Sequence, residues 1–256
     1  MRRSLKGWDV YLPGSPKIDP DPPIDSSTHP LIHSSTHPPI HPSTHPPIHP
    51  LLPTPYSLIN PRLPQQLQFI LEIDRLKHIL RQTLLIDASR QENSAEHSWH
   101  LAIMAIVLAE YAPVGTDIGR AIKMLLIHDL VEIDAGDTFC YDVQGNLDKV
   151  DRELQAADRI FGLLPPDIEA ELRPLWEEFE ARETVTAQFA ASLDRIQPLL
   201  HNYKTQGGTW KKHGVSIDQV RKRMAPVKEG TPDLWEWVEA IVQESVEAGY
   251  IRVAQA

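Results

Sequence analysis

After residue 60, apolar positions recur along the chain with a helical period, and no segment alternates as a convincing strand. Residues 63–85 (LPQQLQFILEIDRLKHILRQTLL) place Leu67, Ile70, Leu71, Ile73 and Leu76 on or near one stripe, which predicts a helix. Residues 93–112 predict a second helix. Asn93 and Glu96 have the spacing of a capping box there, and the middle is apolar nearly all round, as in a central buried helix. A third helix is expected from Asp117 to about Ile133. Residues 146–164 and 166–183 read as an amphipathic pair joined at Pro165-Pro166, and 184–204 as a further helix. GGTW then breaks the chain, and a last helix follows Thr231, a candidate N-cap with Pro232 at the first helical position. The expected fold class is all-α, an orthogonal bundle of about six to eight helices.

The first sixty residues differ in composition. From Ser26 an eight-residue unit repeats (SSTHPLIH, SSTHPPIH, PSTHPPIH), placing His29, His33, His37, His41, His45 and His49 four residues apart. Proline in every unit forbids the helix that would align them, so residues 1–60 are expected to be a disordered or polyproline-like tail, with the domain at 61–256. The tail's charges balance, so the net charge of −10 belongs to the remainder. An acidic domain is a poor partner for nucleic acid or an anionic membrane. The longest apolar run, Leu101 to Ala109, is far short of the roughly 20 residues that span a bilayer. Cys140 is the sole cysteine, and the N-terminus lacks an apolar signal region; a cytoplasmic protein is expected. The apolar helical surface suggests a homodimer.

The candidate chemistry is concentrated at His128-Asp129, where the apolar run Met124-Leu125-Leu126-Ile127 ends in ligand-type side chains. A buried ionised carboxylate is costly unless paired or metal-bound. On a helix, His128 and Glu132 share a face. His97 lies upstream in ENSAEHSWH, with His100 as its rival, and Asp194 lies downstream in an otherwise apolar helix. Two imidazoles and two carboxylates suit a borderline or hard divalent metal, one of Co, Mn, Mg, Zn, Fe or Ni.

The longer set ENSAEHS, HDLVEIDAGD and LDRIQ resembles the HD superfamily of metal-dependent phosphohydrolases, and within it the 5'-deoxynucleotidase branch; the resemblance covers about Leu67 to Tyr203. It implies that His97, His128, Asp129 and Asp194 bind one divalent metal. It implies that Glu132 acts on the nucleophilic water or moves a proton, and that Asp137 holds the sugar 3'-hydroxyl. An arginine grips the phosphate: Arg81 by position, with Arg90 as runner-up. The bacterial branch has an aromatic residue after that arginine; here it is Gln82, which questions the exclusion of ribonucleotides. The substrate implied is a (deoxy)nucleoside 5'-monophosphate. The alternatives are another nucleotide, such as a triphosphate or an alarmone, and a non-catalytic metal-binding HD domain.

Overall fold

The computed structural model describes residues 60–253, so the Pro/His repeat lies outside the described residues. Eleven α-helices occur among them, seven of ten residues or more: α1 (Leu63–Ile73), α2 (Ser94–Val107), α3 (Ile118–Ile127), α4 (Glu132–Ala135), α5 (Lys149–Phe161), α6 (Pro166–Ala181), α7 (Val185–Lys204), α8 (Gly208–His213), α9 (Ile217–Met224), α10 (Val227–Gly230) and α11 (Trp235–Glu247). Strands β1 (Leu80–Leu84) and β2 (Gln91–Asn93) form an antiparallel hairpin.

The bundle is built around α7. Phe189, Leu193, Ile196 and Leu199 are buried on it, and the small residues Ala187, Ala190 and Ala191 are buried beside them. α7 packs against α2, α3, α6 and α10, so one element touches most of the core. Its N-terminus is capped by Thr184, whose hydroxyl accepts from the Ala187 N–H. The closest approach is by α10: a Cβ on Gly230 would lie 2.1 Å from both the Gln188 carbonyl oxygen and Ser192 Oγ. Gly230→Ala is therefore expected to push α10 off α7 and cost about 3 kcal/mol, read as a fall in Tm of about 6–12 °C. An unchanged Tm would show that α10 shifts without loss.

The structure corrects the sequence reading in several places. The helix expected across residues 63–85 ends at Ile73, passes through a 3-10 turn (Asp74–His78) and becomes β1. Its buried positions are Phe69, Glu72 and Leu76, while Ile70 and Leu71 are exposed. Asn93 and Glu96 do form a capping box at the start of α2. α2 is not buried all round, however: Leu101, Met104 and Ala105 face the core, while Trp99, Ile103 and Ile106 face outward. α3 stops at Ile127 rather than near Ile133, because the chain turns through residues 128–131 with three-residue hydrogen bonds, such as Leu130 N–H to the Ile127 carbonyl. Thr231 precedes a 3-10 turn (Pro232–Leu234), and its hydroxyl bonds back to the Val227 carbonyl instead of capping. The stretch after GGTW contains α8, α9 and α10, where no helix was expected.

Candidate metal centre and active site

Each candidate side chain is held by a different local device. His97 sits in the first turns of α2, whose start is fixed by the Asn93–Glu96 box, and is fully buried. His128 caps the C-terminus of α3, and the turn that follows swings Asp129 beside it. Glu132 is the first residue of α4. Gly136, with φ +75, ends α4 in a conformation that strains other residues and sets the direction of Asp137. Asp194 comes from the middle of α7, and Arg81 from β1. Arg81, His128, Asp129, Glu132, Asp137 and Asp194 line one cavity of about 220 Å³; His97 is not part of its lining.

The ligand atoms of His97, His128 and Asp129 lie within 4.8 Å of one another. Asp194 Oδ1 is 3.1 Å from His97 Nε2 and 3.9 Å from His128 Nε2. The tautomers can be read from the partners on the far side of each ring. His128 Nδ1 is 2.9 Å from the Leu125 carbonyl oxygen, which can only accept, so Nδ1 carries the proton. His97 Nδ1 is 3.2 Å from Gln197 Oε1 and donates to it in the same way. In a neutral ring each Nε2 then presents a lone pair. His128 Nε2 faces Asp129 Oδ1 at 3.0 Å, yet it is buried and has no partner in hydrogen-bond geometry. With neutral rings, acceptors face acceptors in a buried space, so a cation must lie between them: a metal ion, or without one a second proton on the imidazole, toward which Asp129 raises His128 against the effect of burial. The side chain–carbonyl bonds behind the rings are those that usually orient metal-ligating imidazoles. The residues present fit a divalent metal.

Charge is unevenly distributed in the cavity. Burial would raise Asp129, but His128 and Arg81 outweigh it and hold its carboxyl down at about 2. Burial would also raise Asp194, and here His97 and Arg223 pull it well below the usual range. Glu132 moves the other way: burial, then Asp129 and Asp137, push it well above an ordinary carboxylate. Asp137 is raised by burial, which Arg81 only partly offsets. Neighbouring carboxylates driven apart in this way divide into permanent anions and proton carriers. Ser94 Oγ donates to Glu132 Oε2 at 2.6 Å and fixes its orientation.

Arg81 is buried; its Nη1 donates to Asp129 Oδ2 at 2.8 Å and lies 3.8 Å from Asp137 Oδ1. Its Nε makes no hydrogen bond and lies 3.9 Å from Glu92 Oε2 on the side away from Asp129. Arg90 is exposed and pairs with Glu96, outside this cavity. His100 does not join the four candidate ligands either; it lies near Glu92 and His201. Gln82 lines the cavity, its side-chain oxygen held by Lys212 and His213.

Sequence reasoning missed three contributors. Arg223, on α9, donates to Asp194 Oδ2 at 3.1 Å. Ser94 holds Glu132, and Gln197 holds His97. The basic run Arg221-Lys222-Arg223 was the available signal for Arg223. Gln197 stands in the LDRIQ motif, three residues after Asp194 and so on the same side of α7.

A family model for the HD domain matches residues 73–235. The human 5'-deoxynucleotidase HDDC2 (Homo sapiens) is 32% identical over 135 residues, which are 52% of this chain and 65% of the human protein, a little under two thirds of its length. The Xenopus laevis 5'-deoxynucleotidase HDDC2 is 30% identical over 179 residues, 70% of this chain and 86% of that protein. Among solved structures, a "predicted metal-dependent phosphohydrolase" from Magnetospirillum magnetotacticum MS-1 is 56% identical, covers 78% of this chain and 99% of that one, and superposes with a TM-score of 0.73. No helix among the described residues is long and apolar enough to cross a membrane.

Proposed function

This chain belongs to the HD-domain family, and from that premise we propose that it is a metal-dependent phosphohydrolase that acts as a 5'-nucleotidase on (deoxy)nucleoside monophosphates. The observation that carries the reading is the convergence of His97, His128, Asp129 and Asp194 from separate segments, lone pair against carboxylate, beside the proton-carrying Glu132 and the buried Arg81. A family names a fold; these side chains supply the chemistry.

The four residues would hold one divalent metal. Bound there, it supplies Lewis acidity, polarising the phosphoryl oxygens and making water a better nucleophile near neutral pH. Arg81, which lines the cavity, grips the phosphate with its guanidinium N–H groups, a fork suited to two phosphate oxygens. Glu132, held by Ser94, takes a proton from the attacking water or returns one to the leaving oxygen. Asp137 accepts from the sugar 3'-hydroxyl. Water adds to phosphorus, the bond from phosphorus to the sugar 5'-oxygen breaks, that oxygen receives a proton, and nucleoside and inorganic phosphate leave. Positioning and electrostatics provide most of the rate.

One observation favours a substrate with more phosphates: Lys149, Arg182 and Arg195 line the same cavity in addition to Arg81 and Arg223. The deciding experiment follows phosphate release from deoxy- and ribonucleoside mono-, di- and triphosphates by metal-stripped protein given Co, Mn or Mg. Metal-dependent release from monophosphates is expected, with loss of both bound metal and turnover in His128→Ala. Turnover only of triphosphates would move the reading to the second substrate class. No turnover of any nucleotide, with metal still bound, would end the enzymatic reading.

A further inference from the structure

On the far side of Gln197 from the candidate centre lies another cluster. Glu92 from β2, His100 from α2 and His201 from α7 each place a ligand atom within 4.8 Å of the others. All three point at one group, the Gln197 amide nitrogen: Glu92 Oε1 at 2.6 Å, His201 Nε2 at 3.1 Å and His100 Nδ1 at 3.3 Å. His201 Nδ1 is 2.8 Å from the Leu84 carbonyl oxygen, so it bears the proton and Nε2 offers a lone pair to the cluster. The amide's two hydrogens go to Glu92 Oε1 and His201 Nε2, so His100 Nδ1 takes none from it; in the tautomer with its proton on Nε2, His100 turns a further lone pair to the cluster. Glu92 Oε2 is left over as well: it is buried without a partner, in a residue 2% exposed. The cluster is therefore short of hydrogen-bond donors, with the Arg81 guanidinium 3.9 Å from Glu92 Oε2 as its neighbouring charge. Its outer side opens on a surface cleft of about 320 Å³ lined by Leu85, Ile86 and Trp99 and by the Arg90–Glu96 pair.

We propose that Glu92, His100 and His201 form a second divalent-cation site, of the zinc class, separate from the candidate catalytic centre. Two imidazoles and one carboxylate are a recurrent zinc set, and they favour zinc, cobalt or nickel over magnesium or calcium. The proton on His201 Nδ1, committed to a backbone carbonyl, is the supporting arrangement that such ligands require. Bonds of about 2 Å bring the three atoms closer together, through side-chain rotation, as the Gln197 amide turns aside. Gln197 also holds His97, so occupancy of this site bears on the first one. If Gln197 turns its Oε1 to the ion, His97 Nδ1–H passes to Glu92 Oε2, which already lies 3.5 Å away.

The test uses full-length protein, because the six histidines of the repeat are then common to every variant and cancel in a difference. Protein carrying His128→Ala, with and without His100→Ala, is equilibrated with chelator-buffered zinc. The single variant should hold one zinc more than the double variant. Glu92→Gln in the same background should weaken that zinc by about 10- to 100-fold. Equal zinc content in single and double variants would overturn the proposal, whatever the first site does. Crystals of the unmutated chain soaked in zinc provide a measurement that does not depend on variants folding. Anomalous density between His100 Nδ1 and His201 Nε2 is expected, and a zinc-loaded crystal without it sinks the proposal.

Discussion

Glu132→Gln is expected to lower kcat by about 10²- to 10⁴-fold, roughly 3–5 kcal/mol of barrier, while the protein keeps its fold and its metal. The reason lies in how differently the cavity treats its carboxylates. Asp129 is held at about 2 by His128 and Arg81 against the effect of burial, so it stays an anion at any working pH. Glu132 is only three residues away, yet burial and the charges of Asp129 and Asp137 raise it well above its ordinary range. A carboxyl raised in this way holds a proton more readily than its neighbours, which suits general acid–base work. Glutamine has the same shape and can still accept from Ser94 Oγ, so the substitution removes the proton transfer and little else. Turnover and bound metal are measured on the same sample. Full turnover would remove Glu132 from the chemistry. Loss of turnover together with loss of metal would instead make it a ligand. Unchanged metal and unchanged biological activity would favour the non-catalytic metal-binding reading.

Much of this centre could be read in the sequence because its parts stand next to local signals of their own. Asn93 and Glu96 announce the start of the helix that carries His97, and the capping box is present. The apolar run before His128-Asp129 announces burial, and both residues are buried. The hairpin was missed for a physical reason that concerns function. In β1 the inward positions are Arg81 and Thr83, which are buried although polar, and the outward ones include Leu80, which is 54% exposed. The strand does alternate, but with polar residues inward because that face looks into the cavity. A hydrophobicity pattern then reads in reverse and joins the strand to the preceding helix. A similar confusion extended α3. Leu130 and Val131 are buried, so the apolar pattern runs on past Ile127 although the backbone has left the helix to turn Asp129 toward its neighbours. Arg223 and Gln197 were missed because no spacing rule links them to their targets. Arg223 reaches Asp194 across 29 residues, and Gln197 reaches Glu92 across 105.

Gln197→Leu is the second large expected effect, and it joins stability to metal binding. The side chain is fully buried, and both ends of its amide are engaged. Its oxygen accepts from His97 Nδ1; its nitrogen faces Glu92, His201 and His100. Leucine fills similar space and supplies neither group. The largest loss is at Glu92, whose buried carboxylate would keep no donor on Oε1 and already has none on Oε2. Buried polar groups left unpaired cost about 1–3 kcal/mol each, more when charged, so the unfolding free energy should fall by about 3–5 kcal/mol. His97 at the same time loses the bond that orients its ring toward Asp194, which should weaken metal at the candidate centre by about 10- to 100-fold. Denaturant unfolding gives the first quantity, and Mn²⁺ titration followed by electron paramagnetic resonance gives the second. Both losses together would identify Gln197 as a positioning residue for the centre. Reduced stability with full Mn²⁺ affinity would mean that Glu92 Oε2, 3.5 Å from His97 Nδ1, takes over the imidazole once the amide is gone. Glu92 would then be the residue that orients His97, and Gln197 only the donor that keeps that carboxylate satisfied.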